Sequence, residues 1–281
     1  MQDKRCDLHI HSVFSDSDAP IEGIFKEASR KNINCVAIAD HDTVDGIVQA
    51  RLCSKTYDVE LVEAVELSAK YKDFEIHILG YFINPDNKKL RSELAHMDQL
   101  RRERLLWMSA KLNSLGVVVD SEELFSNIKD AIPTRLHLGL YLLKKGRVHS
   151  LKEAFRKYLS PGRPAYKQYF KQSVKETIAL IKGAGGLAFL AHPHIIPNQS
   201  FVEEIISEGI DGLELVYPSM SAAKSSLYRN IVCKRGLLKS GGSDVHGSYK
   251  RFVELGEVTV PYAWIEEMKK ALNLKSVSAR G

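Results

Sequence analysis

Short apolar runs punctuate the chain near residues 7–11, 35–40, 60–67, 75–82, 186–191, 212–217 and 237–242. Each has the length of a strand, and several are apolar throughout, as expected of strands covered on both faces. Segments 20–31, 44–55, 173–184, 200–208 and 220–235 lie between such runs and mix apolar with charged positions as helices do. Strand and helix in alternation predict an α/β fold with a mainly parallel sheet. The alternation stops between 90 and 170, where 90–115, 121–129, 134–145 and 151–158 all read as helices and no strand is credible. The expected organisation is a barrel made from residues 1–89 and 171–281, with 90–170 inserted as a small helical lid or substrate domain. At 281 residues the length suits this, since a (β/α) barrel commonly fills ~250.

Composition narrows the class. No apolar run approaches the ~20 residues that span a bilayer, and the N-terminus runs straight into the first strand without a secretory signal. Cys6, Cys35, Cys53 and Cys233 are scattered and read as reduced thiols. A cytoplasmic enzyme is expected, with neither a membrane nor an obligate protein partner. Charge is uneven: residues 90–171 hold 16 Lys or Arg against 8 Asp or Glu, a net +8, which leaves −3 for the rest of a chain that totals +5. Spread over helix faces, as in Arg101, Arg102 and Arg104, these cations read as solvated surface. Gathered over a site, they would draw in an anionic substrate.

The chemistry sits at the strand ends. His9 and His11 are two apart on a strand, so both imidazoles share one face. Asp16 follows; the next strand ends in Asp40-His41-Asp42-Thr43; Glu66 ends the third apolar run, and His77 stands within the fourth. His192 closes the strand near 190, and Asp244 and His246 follow the last one. In a parallel barrel the carboxyl ends of the strands converge, so these six histidines and three carboxylates point to one metal site. Nine donors exceed what one ion takes, so two or three are expected. Nitrogen and oxygen donors without sulfur suit manganese, iron or zinc; manganese is expected foremost, with iron or zinc as alternatives.

These residues carry a resemblance. His9-Ile10-His11-Ser12, Ser15-Asp16, Asp40-His41-Asp42-Thr43, Val65-Glu66-Leu67-Ser68, Glu75-Ile76-His77-Ile78-Leu79-Gly80, Ala191-His192-Pro193 and Gly242-Ser243-Asp244-Val245-His246-Gly247 resemble, in order and spacing, the polymerase and histidinol phosphatase (PHP) superfamily. The resemblance runs from residue 7 to residue 247. Within that superfamily it is strongest to stand-alone phosphatases that remove the 5′-phosphate from nucleoside 3′,5′-bisphosphates, some of which trim short oligoribonucleotides from the 5′ end. It implies a distorted (β/α)7 barrel with a helical insertion and a trinuclear site. His9, His11, Glu66 and Asp244 would hold the first ion, Glu66 as a bridge with His77 and His192 the second, and Asp16, His41 and His246 the third. The chain departs from the family's usual glycines at Ser17 and Ala64, without loss of a ligand.

The resemblance also implies that the arginine of Arg135-Leu136-His137 reaches into the site, where its fork can bind two phosphate oxygens. Tyr166 could stack on a base and Lys167 could meet a phosphate. His194, two residues after His192, reads as a phosphate contact or proton donor, as a further histidine at the cluster, or as an exposed loop residue. Three divalent ions would leave the cluster at about +3, attract a phosphomonoester dianion and lower the pKa of a bound water toward ~7, so that hydroxide attacks in line. Rival readings are a histidinol or other small-molecule phosphatase, an amidohydrolase acting on C–N bonds, and a noncatalytic nucleic-acid-binding module with a relic metal site.

Overall fold

The computed structural model describes residues 4–168, 172–250 and 253–278. In chain order the elements are β1 (Arg5–Ile10), α1 (Ile21–Arg30), β2 (Cys35–Ile38), α2 (Ile47–Tyr57), β3 (Glu60–Tyr71), β4 (Phe74–Tyr81), α3 (Lys88–Ser114), α4 (Ser121–Ile128), α5 (Arg135–Lys144), α6 (Leu151–Ala154), α7 (Val174–Gly183), β5 (Leu187–Leu190), α8 (Gln199–Ser207), β6 (Gly212–Val216), α9 (Ala222–Arg235), β7 (Leu238–Gly241), β8 (Val260–Pro261) and α10 (Ala263–Ser278). No helix among the described residues is long and apolar enough to cross a membrane.

The strands join in the order β7-β6-β5-β4-β3-β2-β1-β8. Past β7 the chain crosses to β1. Asp244 N donates to His9 O at 2.7 Å, His11 N donates to Val245 O at 3.1 Å, and Ile10 bridges Val245 in parallel. The sheet thereby becomes a nearly closed barrel. Gly242 permits the approach, because a Cβ there would stand 2.4 Å from His9 N. The short β8 pairs antiparallel with the opposite end of β1, at Arg5 and Cys6, and adds a strand beyond the seven expected.

One wall differs from the parallel expectation. β4 runs antiparallel to both β3 and β5. Tyr71 pairs with Phe74, so only Lys72 and Asp73 separate the strands, and Lys72 takes the left-handed conformation at φ 53°. A parallel return needs a crossover of a dozen or more residues, so this connection can only be a hairpin. Elsewhere helices cover the sheet by the usual amphipathic logic. On α1, Ile21, Ile24, Phe25 and Ala28 form one buried face, each large side chain worth roughly 1.5–3 kcal/mol on burial.

Residue 90, the expected start of the insertion, falls inside α3. The junction expected at 170/171 lies outside the described residues. Along α3, Leu90, Leu94 and Met97 belong to the barrel's apolar cluster. Farther on, Leu105, Met108 and Leu112 join a second cluster with Leu124, Leu138, Leu142 and Leu159. A single helix thus leaves one core and enters another, and Arg101 and Arg104 occupy the buried face between them.

Candidate metal centre

All nine donors predicted from the strand ends come together at one end of the barrel. Glu66 is the hub, 1% exposed. Its Oε2 lies 3.4 Å from His9 Nε2, 3.3 Å from His11 Nε2 and 3.0 Å from His41 Nδ1. Its Oε1 lies 3.0 Å from His77 Nδ1 and 3.0 Å from His192 Nε2. Asp244 Oδ1 stands 3.0 Å from His11 Nε2 and 3.5 Å from His9 Nε2, and Asp16 Oδ1 is 3.3 Å from His246 Nε2. Three sets are compact enough to share an ion: His9, His11 and Asp244; His41, Glu66 and His77; His11, Asp16, His41 and His246.

The donor chemistry fits divalent cations. His11 Nδ1, Asp16 Oδ1, His41 Nδ1 and Glu66 Oε2 are buried and take no hydrogen bond, and buried polar atoms of that kind are normally satisfied. Burial disfavours charge here, yet His41, His77 and His9 hold the Glu66 carboxyl well below its ordinary range. Conversely, the carboxylates Asp244 and Glu66 overcome burial and raise His11 to about 9, and Glu66 and Glu75 raise His77 to about 10. Burial instead holds His41 well below its ordinary value, so the protons retained are those on His9, His11 and His77, and a metal cation would release them.

An outer layer aims the donors, and most of it was not singled out in the sequence. Glu214, fully buried on β6, accepts from His9 Nδ1 at 2.9 Å and from His192 N at 2.6 Å. Such a partner fixes the imidazole tautomer and orientation. Asp40 accepts from Ser12 N, Ser12 Oγ and Ser15 Oγ and holds the turn that leads to Asp16. Asp7, pushed up to about 6 by burial, accepts from Ser243 N and Gly256 N beside Asp244. The Tyr217 hydroxyl donates to Asp244 Oδ2 at 2.6 Å. His192, Asp244 and Asp42 all have positive φ, at 30°, 49° and 49°, a strained conformation that concentrates at functional sites. Ser17 needs no positive φ, and Ala64 packs within β3 at 1% exposure, so neither departure disturbs the site.

The insertion faces this cluster across a cavity of about 810 Å³ whose wall includes Asp16, His41, His77, His246, Arg135 and Arg156. Arg135 heads α5, with its Nη2 3.5 Å from Glu75 Oε2; Glu75 Oε1 lies 3.4 Å from His77 Nε2. Thr134 and His137 cap that helix, His137 Nδ1 accepting from Thr134 N at 3.1 Å. Arg101 and Arg104 are not solvated surface: they are 4% and 2% exposed. Their positions prolong the apolar stripe of α3, which turns them inward with it; Arg102, off the stripe, pairs with Asp98 near solvent.

Three expected substrate contacts are placed differently. The Tyr166 ring has Arg104 5.5 Å and Arg135 5.4 Å from its centroid, so cations already pack on it where a base was expected. Lys167 extends to the Trp107 ring, 5.4 Å from its centroid, and is not on the cavity wall. His194 Nε2 pairs with Ser219 Oγ at 3.0 Å, and its ring lies 4.7 Å from Tyr217. The left-handed His192 and the short 3-10 turn Pro193–Ile195 place His194 beside Tyr217, whose hydroxyl donates to Asp244 Oδ2.

Residues 7–211 match the model of the PHP domain family. The chain is 29% identical to a 3′,5′-nucleoside bisphosphate phosphatase of Chromobacterium violaceum, over 85% of this chain and 86% of that protein. It is equally 29% identical to a 5′-3′ exoribonuclease of Haemophilus influenzae, over 86% and 90%. A candidate metal-dependent phosphoesterase of Bifidobacterium adolescentis superposes with a TM-score of 0.86 at 27% identity, over 94% of each chain. The family match spans the strand ends that bear seven of the nine donors, and the chain belongs to the PHP domain family of phosphoester hydrolases.

Proposed function

We propose that the protein is a divalent-metal-dependent phosphatase that removes the 5′-phosphate from nucleoside 3′,5′-bisphosphates such as adenosine 3′,5′-bisphosphate, and that it trims short oligoribonucleotides from the 5′ end. The supporting observation is the cavity itself. One side offers Asp16, His41, His77 and His246, and the other offers the cations Arg135, Lys152 and Arg156. A substrate with two phosphates held apart by a nucleoside suits a pocket with a metal-binding end and a cationic end. Histidinol phosphate, with one phosphate, uses only the first. The names of the two relatives agree with a nucleotide or RNA 5′ end.

In this reading residues 1–89 and 171–281 supply the metal-binding barrel and 90–170 the lid. His9, His11, Asp16, His41, Glu66, His77, His192, Asp244 and His246 hold two to three ions, manganese foremost, with iron and zinc also suited to these donors. Bound ions supply Lewis-acid charge and activate water. Glu66 presents one oxygen to His77 and His192 and the other to His9, His11 and His41, which suits a bridging carboxylate. Arg135 exchanges its loose contact with Glu75 for the stronger charge of the phosphate, through a bidentate fork. Tyr166, Lys167 and His194 are not counted among the substrate contacts.

The test is metal analysis joined to a phosphate-release panel. Reconstituted protein should hold two to three ions per chain and should hydrolyse adenosine 3′,5′-bisphosphate far faster than 5′-AMP or histidinol phosphate, with phosphate leaving the 5′ position. Equal turnover of the three would reduce the protein to a general phosphomonoesterase.

A further inference from the structure

We infer that Arg101 is a positioning residue that couples the metal-facing side chains of the barrel to Arg135 of the insertion. The inference rests on the metal and Arg135 assignments above and adds a linkage between them. Arg101 Nε and Nη2 lie 2.8 Å and 2.7 Å from Asp42 Oδ2. Its Nη2 also donates to Ser68 Oγ at 3.0 Å, and its Nη1 donates to Pro133 O at 3.3 Å.

Each of these three partners is one or two residues from a member of the site. Asp42 follows His41, and its backbone N–H donates to Glu66 O at 3.0 Å. Ser68 lies two residues after Glu66 on β3, and its N–H donates to the other Asp42 oxygen at 2.8 Å. Pro133 lies two residues before Arg135, at the entry to α5. The insertion is pinned a second time where Ile132 N donates to Phe14 O at 3.0 Å, close to Asp16. One buried guanidinium therefore ties the His41 loop, the Glu66 strand and the start of the Arg135 helix together.

The chemistry of the group matters. A guanidinium is a planar fork with donors in fixed directions, so it sets angles among its partners as well as distances. A lysine would keep the charge but could not hold all three segments in one plane. The partners leave little slack, because Asp42 is itself fully buried and held at φ 49°. When ions draw His41 and Glu66 into position, Arg101 transmits that ordering to residues 133–137 and sets Arg135 for the phosphate. Linkage requires the reverse as well, so an anion seated on Arg135 should tighten ion binding.

Hydrogen exchange separates this linkage from simple structural support. Adding Mn2+ to metal-free wild-type protein should slow amide exchange in 133–137 by ~5-fold or more, the lower end of ordinary coupling. In Arg101→Lys, elemental analysis should still find the ions while exchange in 133–137 no longer responds to them. Inorganic phosphate should bind the wild type more tightly with Mn2+ than without it, and in the variant that gain should shrink by ~5-fold or more, to the part the ions supply by attracting the anion directly. If Arg101→Lys does not fold, Asp42→Asn breaks the same link from the barrel side and should give the same result. An unchanged Mn2+ response in these variants, or a wild type that binds Mn2+ without protecting 133–137, would overturn the coupling. A wild type that binds no Mn2+ would overturn the metal reading on which it rests.

Discussion

At the barrel rim, one buried carboxylate has nitrogen atoms of five histidines within 3.4 Å. From Leu105, 17 residues beyond the start of α3 at Lys88, the insertion packs Leu105, Met108, Leu112, Leu138 and Leu142 into an apolar cluster. The rim holds buried polar atoms without hydrogen-bond partners, an arrangement that opposes folding until a cation compensates it. The insertion's cluster is held by apolar packing, with ion pairs such as Lys145–Glu123 outside it. Their meeting place is the middle of α3, where a stripe of apolar residues is interrupted by Arg101 and Arg104. The donors thus sit in a region that a bound cation would stabilise, next to a cluster held by apolar packing.

The sharpest way to break this comparison is to remove the hub. In the proposed bridging role Glu66 serves two ions, so Glu66→Ala should lose more than one ion per chain. With most of the Lewis-acid charge gone, kcat/KM should fall by roughly 10³-fold or more. The expected signature is loss of ions with the insertion still folded, read by elemental analysis and by circular dichroism of the helices. Retention of all ions in Glu66→Ala would show that Glu66 does not bridge.

The converse cut is Leu138→Ala. Leu138 is fully buried in the insertion's cluster, so the cavity left behind should cost ~2–5 kcal/mol in a denaturant titration. Ion content of the folded protein should stay at the wild-type value, because no donor belongs to that cluster. A parallel loss of metal would mean that the two regions are one cooperative unit.

Legibility followed the same division. The strand ends were readable because histidines and acids break apolar runs at positions where a barrel must bring them together, and all nine met. The hairpin at β3–β4 was readable in principle, since the gap between two apolar runs was too short for a crossover. Arg101 and Arg104 were misjudged because a run of three arginines resembles a solvated face. Their register with Leu90, Leu94, Met97, Leu105, Met108 and Leu112 was the signal, for a cation in a core stripe must have a buried partner. Those partners, Asp42, Ser68 and Glu75, lie far away in sequence. Nothing local named them. The same holds for Glu214, whose role depends on which strands β6 adjoins, and for Lys167 and His194, whose directions are set by Trp107 and by a left-handed turn.

Arg135 gives the smallest expected effect and the finest test, because it stands where the two regions face one another. It is on the cavity wall with His77 and touches Glu75 at 3.5 Å, yet a guanidinium, having no acceptor, does not ligate a cation. Arg135→Lys preserves the charge and removes the fork. Ion content should be unchanged while kcat/KM for the nucleoside bisphosphate falls by about 1.5–3 kcal/mol, the range for a hydrogen bond to a charged group. His192→Ala is the control from the other region: it deletes a donor facing Glu66 Oε1 and should lower metal content and turnover together. If Arg135→Lys leaves the kinetics untouched, the arginine serves Glu75 and the Leu159 carbonyl and not the phosphate. If it strips metal as His192→Ala does, the insertion contributes to the metal site directly, and the boundary between the two regions has been drawn in the wrong place.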